Sequence, residues 1–216
     1  GTFEEAKNLA PKNRFRVITQ ENSGKANALN RGISEALGEF VLCMDADSLL
    51  APNVLKVALA YFEKKPSLCA VAGNVMVGNP NKLLTMFQRL EYVVSLNFHK
   101  TSQSFLSMVM IIPGPIGVFR KAALSKIGGY NDDTFAEDCD LSLRLLLTGE
   151  EIAYCPEMIA YTEAPTDIMS LVSQRYRWAR GVAQAIVKNS VWLIRPHRNF
   201  RNFCVMHYML LESITI

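Results

Sequence analysis

The sequence predicts an α/β fold: a mostly parallel sheet flanked by helices, with a helical C-terminal extension. Three observations lead there. Strand-like and helix-like segments alternate, with gaps of the length that βα units need. Half of the residues are hydrophobic and 20% are charged, the balance of a chain that builds one good-sized core. The length of 216 residues corresponds to one domain, at ~150 residues per domain with α/β sheets often larger. No internal repeat, low-complexity tract or linker interrupts it.

Residues 14–19 alternate and read as a strand. Residues 25–37 carry apolar positions at Ala26, Leu29, Ile33 and Leu37, with Ser23 placed as an N-cap and Gly38 after the end, so they read as a helix. Residues 39–44 form a short apolar run between turns, the pattern of a buried parallel strand. Residues 51–65 read as a helix opened by Pro52 and closed by Pro66. Residues 69–77 read as a strand, and residues 83–100 as a long helix. Residues 109–112 and 116–119 are strand-like pieces separated by Pro113-Gly114-Pro115. A short helix at 121–127 ends at Gly128-Gly129. A helix at 137–147, a strand at 152–154 and a long helix at 168–188 complete the pattern.

Lys and Arg number 23 against 20 Asp and Glu, a formal charge of +3, which makes no electrostatic case for a nucleic-acid partner. The five cysteines, Cys43, Cys69, Cys139, Cys155 and Cys204, contain no C-x-x-C pair. That argues against zinc and against a secreted disulfide framework, and for reduced intracellular thiols. The first residues show no initiator Met and no signal-peptide pattern. Residues 203–216 are apolar but interrupted by His207 and Glu212. A run of roughly 14 residues is too short for a ~30 Å hydrocarbon core, so it reads as a core helix or as the start of a membrane helix. The basic, aromatic-interleaved residues 195–201 suit a cytoplasmic membrane face and, equally, a polar loop.

Four blocks carry possible chemistry. Asp45-Ala46-Asp47 directly follows the buried strand at 39–44, and ligands of open parallel sheets bind at the carboxyl ends of strands. Two carboxylates one residue apart can share a hard cation that bridges to a diphosphate. Alternatively, Asp47 or Ser48 caps the next helix and Asp45 ends the strand. Without a cation or donor between them, two such carboxylates repel each other.

Glu137-Asp138 opens a helix whose apolar face includes Leu141 and Leu145. First-turn anions favour the helix dipole, so capping explains the pair; the other reading is a general base that takes a proton from an attacking hydroxyl.

Gln174-Arg175-Tyr176-Arg177-Trp178 lies on the long helix. At ~100° per residue, Gln174, Arg177, Trp178 and Gly181 share one face, and Val172, Tyr176, Ala179, Ala183 and Ile186 the opposite one. The second stripe reads as the core face. The first suits a sugar platform beside a phosphate-pairing Arg, or else a Trp covering a neighbouring element and an Arg paired with a carboxylate.

Gly24-Lys25-Ala26-Asn27-Ala28-Leu29-Asn30 is not a phosphate loop, because residue 19 is Thr where the first Gly belongs and Ala26 stands for Ser or Thr. Lys25 at a helix N-terminus still suits an anion. The histidines (His99, His197, His207) have no metal-ligand spacing.

Taken in order, these blocks resemble the inverting family 2 glycosyltransferases of GT-A fold, in particular the processive membrane branch of cellulose, chitin, hyaluronan and poly-N-acetylglucosamine synthases. The matching blocks are Gly24 to Asn30, Asp45-Ala46-Asp47, Ala136-Glu137-Asp138 and Gln174 to Trp178. Ile112 to Lys121 is similar to the family's acceptor-side loop.

The resemblance implies a nucleotide-diphospho-sugar transferase sheet. It implies inverting transfer of a sugar from a UDP-sugar to a growing polysaccharide or other hydroxyl acceptor, assisted by Mg²⁺ or Mn²⁺. Asp45 and Asp47 would bind the diphosphate, Asp47 most directly through the metal. Asp138 would be the base, with Glu137 beside it in the substrate site. Gln174, Arg175, Arg177 and Trp178 would hold the donor diphosphate and the acceptor sugar, and Lys25 would line the nucleotide pocket. N-acetylglucosamine is the preferred sugar.

The resemblance covers roughly residues 1–190, a partial catalytic domain, with 191–216 a basic, amphipathic segment leading into a possible membrane helix. It places the full-length protein at the membrane, catalytic domain on the cytoplasmic face, with no nucleic-acid partner. The family's Thr before Glu-Asp is Ala136 here. Its first strands, which grip the uracil, have no counterpart upstream of Gly1, so the chain is expected to be a fragment with an exposed sheet edge and little activity of its own. The rival classes are a nucleotidyltransferase and a non-catalytic domain of the same fold.

Overall fold

In the computed structural model, residues 2–9, 15–197 and 199–213 are described. Strands β1 (Phe40–Cys43), β2 (Leu49–Leu50), β3 (Leu68–Val77), β4 (Gly117–Arg120) and β5 (Glu151–Thr162) pair in the order β1-β4-β3-β5-β2. Every residue of β3 from Leu68 to Gly73 is buried, which is why that stretch reads as a continuous apolar run rather than an alternating one. Its alternation divides the molecule: Ala70 and Ala72 face one core, and Val71, Val75 and Val77 face the other.

Helix α3 (Val54–Lys64) covers the second face through Val54, Ala58 and Phe62. The first face is covered by α2 (Lys25–Glu35), α6 (Lys121–Lys126), α7 (Glu137–Leu147), α8 (Ile168–Lys188) and α9 (Phe200–Glu212). Helix α1 (Thr2–Leu9) precedes them. The two last helices are capped by their own side chains: Ser170 N donates to Asp167 Oδ1 at 2.9 Å, and Asn202 N donates to Asn199 Oδ1 at 3.2 Å.

The α/β layering agrees with the sequence, but the sheet is mixed instead of mostly parallel. Only β3 and β5 run parallel; β1–β4, β3–β4 and β2–β5 are antiparallel. The cause is Pro113-Gly114-Pro115, where the chain turns back, so β4 enters between β1 and β3 in the reverse direction. Strands β1, β3 and β5 nevertheless share one direction, and their carboxyl ends gather at one edge of the sheet.

Other elements also differ from the sequence reading. Of the strand expected at 14–19, Arg14 lies outside the described residues, and residues 15–19 form no strand. Residues 109–112 form none either; the contact there is one bridge from Met108 to Ile152. The strand expected at 152–154 extends to Thr162, because a register shift opposite Gly73 and Asn74 lets Pro156 pass without a ladder bond. The helix expected at 83–100 is three pieces: α4 (Leu83–Glu91), a π-helical stretch (Tyr92–Asn97) and α5 (Phe98–Phe105). Gly24, not Ser23, caps α2.

Helix α7 is fastened to α8 by a buried charge cluster. Asp140 is fully buried, takes Arg144 Nε at 2.7 Å and pairs with Lys188 Nζ at 3.0 Å. No described helix is long and apolar enough to cross a membrane.

Candidate active site

The first turn of α7 presents Asp138. Its carboxylate is held on both oxygens: Gly114 N donates to Oδ2 at 3.1 Å and Cys139 N to Oδ1 at 2.8 Å. Ser142, one turn on, donates to the Asp138 carbonyl at 2.7 Å and accepts from Ile112 N at 2.8 Å. The loop 112–114 and the start of α7 are thus one unit. Burial pushes the Asp138 carboxyl above its ordinary value, helped by the charge of Glu137; Lys25 and the two N–H donors pull it back only in part.

Lys25, at the start of α2, reaches Asp45 Oδ1 at 2.6 Å and Glu137 Oε1 at 2.7 Å. Burial alone would lower its pKa, but these two carboxylates outweigh burial and hold the ammonium charged. It is the donor that offsets repulsion between the acidic blocks. Gly114 lies against the same pair: a Cβ on it would meet Asp45 Oδ2 at 2.8 Å and Lys25 Nζ at 2.9 Å. No other residue type fits there unless both side chains move. Asp47 is exposed, and its one side-chain hydrogen bond among the described residues comes from the Ser48 hydroxyl, at 3.4 Å.

Helix α8 reaches this cluster by close backbone contact. A Cβ on Gly181 would lie 2.6 Å from Ala136 N, so glycine lets α8 settle on the residue before Glu137. Phe135 N donates to Gln184 Oε1 at 2.9 Å, and the Arg180 guanidinium lies 4.3 Å from the Phe135 ring. The inward face of α8 is Gly181, Val182, Ala185 and Ile186, which are buried, while Val172, Tyr176, Ala179 and Ala183 are exposed. Of the stripe expected to be the core face, Ile186 is buried, and the expectation is overturned for Val172, Tyr176, Ala179 and Ala183. The helix is positioned by contact with Ala136, and that turns the Gln174–Trp178–Gly181 side inward.

Two neighbouring cavities result. A polar one of about 330 Å³ is walled by Lys25, Asp45, Asp47, Glu137, Asp138, Gln174, Arg177 and Trp178. Asp47, Asp138 and Trp178 thus face one space, as convergence of the blocks requires. An apolar one of about 260 Å³ includes Lys100, Met110, Ile111, Arg175, Trp178 and Val182. Pro113, Ala136, Asp138 and Trp178 line both.

Of the residues singled out in the sequence, Arg175 alone faces only the apolar cavity; it pairs with Glu91 at 2.8 Å and stacks on Trp178 at 4.5 Å. Arg177 enters no ion pair among the described residues, and Gln174 Oε1 is buried with no hydrogen-bond partner. Gly114 was read only as part of the break at 113–115 and of the loop at 112–121; Ser142 and Lys100 were not anticipated. Nothing local marks them: each acquires its place through contact with residues far away in the chain. The described residues hold no group of three or more His, Cys, Asp or Glu side chains placed to hold a metal ion by themselves.

Comparison with known proteins gives one consistent result. Residues 40–216 match the model of Glycosyl transferase family group 2. A poly-beta-1,6-N-acetyl-D-glucosamine synthase of Staphylococcus epidermidis is 36% identical over 176 residues, which is 81% of this chain and 43% of that protein. The synthase of the same name from Staphylococcus aureus strain COL is 34% identical over 173 residues, 80% of this chain and 42% of that protein. This chain therefore spans less than half the length of these relatives.

Among solved structures, the mannosyltransferase PcManGT from Pyrobaculum calidifontis, in complex with GDP-Man and Mn²⁺, superposes with a TM-score of 0.65. It is 21% identical, over 91% of this chain and 54% of that one. S. aureus TarS 1-349 in complex with UDP-GlcNAc also gives 0.65, at 18% identity over 99% of this chain and 59% of that one. These two likenesses show the fold, that of GT-A glycosyltransferases.

Proposed function

The chain belongs to Glycosyl transferase family group 2, and from that membership and the geometry of the site we propose that it carries out inverting transfer of a sugar from a UDP-sugar to a hydroxyl of a polysaccharide acceptor. The observation that carries the reading is Asp138, a half-buried carboxyl with a raised pKa on the seam between a polar and an apolar cavity.

In this reading the polar cavity takes the donor diphosphate, which Arg177 meets as a bidentate partner. Lys25 and Gln174 complete that wall. The indole of Trp178, common to both cavities, supports the acceptor sugar. Asp138 accepts the proton of the attacking hydroxyl, its orientation kept by the Gly114 and Cys139 amides. The acceptor oxygen attacks the anomeric carbon opposite the leaving UDP, which inverts the configuration.

The residues present fit Mg²⁺ or Mn²⁺ with Asp47 as ligand. Asp47 is an exposed carboxylate on the polar wall, whereas Asp45 is engaged by Lys25. Such an ion takes one or two carboxylates and completes its shell with phosphate oxygens and water. When bound, it offsets charge developing on the leaving diphosphate.

The relatives named as poly-beta-1,6-N-acetyl-D-glucosamine synthases and the TarS complex with UDP-GlcNAc support N-acetylglucosamine as the sugar and a polysaccharide as acceptor. The resemblance to the membrane branch of the family and the basic residues 195–201 support a full-length protein at the membrane with this domain on its cytoplasmic face. The test is product analysis of the full-length protein in membranes with a panel of UDP-sugars. Incorporation from UDP-GlcNAc with inverted anomeric configuration is expected. Retained configuration, or wild-type turnover in Asp138→Asn, overturns the reading.

A further inference from the structure

Lys100 is a buried charge that this mechanism leaves without a task. It lies on α5, is 6% exposed, and lines the apolar cavity beside Met110, Ile111 and Val182. It makes no side-chain hydrogen bond or ion pair among the described residues, and the charges of Asp138 and Glu212 act on it. Burial outweighs them and lowers its pKa to about 8.

A buried ammonium without a bonded partner is a cost to the fold, and a methionine of similar length would fill the same space without it. Even Lys188, which is exposed, is closed by Asp133 at 2.9 Å and Asp140 at 3.0 Å. At Lys100 the three donors border a space of about 260 Å³ with no protein acceptor bonded to them.

We propose that Lys100 binds the acceptor, its ammonium donating to an acceptor-sugar oxygen next to the hydroxyl that faces Asp138. Its position separates acceptor from donor: Lys100 lines the apolar cavity alone, Lys25, Asp45 and Asp47 line the polar one alone, and Asp138 belongs to both. A sugar lays its C–H face on Met110, Ile111, Val182 and the Trp178 indole; of these four only the indole N–H can donate to a hydroxyl, and the Lys100 ammonium adds three donors. The positive charge also favours the ionised form of Asp138. The proposal rests on Asp138 being the base. The titratable and charged groups bordering Lys100 are Glu91, His99, Asp138, Cys139, Arg175 and Glu212.

The test uses the full-length protein with UDP-GlcNAc as donor and short N-acetylglucosamine oligosaccharides as acceptor probe. Lys100→Met is expected to raise the acceptor KM at least ten-fold, to leave the donor KM and UDP binding within two-fold, and to raise Tm. Lys100→Arg, which keeps the charge, recovers part of the acceptor affinity. Wild-type kcat/KM for the acceptor falls above about pH 8, and Lys100→Met lacks that fall. An unchanged acceptor KM, or equal losses for donor and acceptor, overturns the assignment; should Lys100→Met fail to fold, Lys100→Gln is read by the same criteria. Asp138→Asn run in parallel separates the two claims. If it is inactive while Lys100→Met keeps its acceptor KM, only the Lys100 assignment fails; if it is active, the reading of the base fails.

Discussion

The Gly114 amide donates to Asp138 Oδ2 at 3.1 Å, joining two positions 24 residues apart in the chain. Gly114 also lies against Asp45 and Lys25. One loop residue therefore touches both the carboxylate on the seam between the cavities and the ion pair that walls the polar one, so a change at Gly114 is felt in both.

Gly114→Ala should weaken UDP binding at least ten-fold while the protein still folds. The new methyl meets the ends of two flexible side chains, Asp45 and Lys25, at 2.8 and 2.9 Å, and these can move at a cost of about 1–3 kcal/mol. UDP titration alongside thermal unfolding measures the two effects separately.

Asp138→Asn should lower turnover by about 10²–10⁴-fold, the usual value of a positioned base, with UDP binding kept. Because burial raises the Asp138 carboxyl, the acid limb of the wild-type pH profile should fall at a pH above the ordinary Asp value of about 3.9. The sign follows from the chemistry: the base works ionised, so activity is present above its raised pKa and is lost as the pH falls through it.

Gly181→Ala should destabilise the protein by about 1–3 kcal/mol and reduce turnover, since a Cβ there would lie 2.6 Å from Ala136 N. The added Ala136→Gly change should relieve only part of this, because the backbone contact remains. Urea denaturation of the single and double variants gives the comparison.

Asp140→Ala should cost about 3–5 kcal/mol, the penalty for breaking a buried ion pair from one side. It leaves Arg144 and Lys188 without their shared buried carboxylate. Equilibrium unfolding at neutral pH measures it, and a loss under ~1 kcal/mol would place the cluster among surface-type pairs.

Asp47→Asn should reduce UDP affinity at least ten-fold with Mn²⁺ present and hardly at all in EDTA. An equal loss in both conditions would mean that Asp47 contacts the nucleotide without a metal.

Much of the fold was legible where punctuation is local. Helices at 137–147 and 168–188 agree residue for residue with α7 and α8. The four chemical blocks were each readable, and all four border the polar cavity. Strand β5 was read too short because Pro156 looks like an end, yet a bulge opposite Gly73 and Asn74 absorbs it. The inward face of α8 was misjudged because apolar content was taken for burial, whereas Val172 and Tyr176 are 56% and 65% exposed.

The chain by itself determined the α/β alternation, the long helices and the acidic, guanidinium and aromatic blocks, because periodicity and capping act over a few residues. Only the tertiary structure decided that β4 runs backwards between β1 and β3, that Lys25 serves Asp45 and Glu137 at once, and that Lys100 is buried beside Asp138's cavity. Those outcomes depend on strand pairing, close backbone approach and desolvation between segments tens of residues apart, which no local pattern encodes.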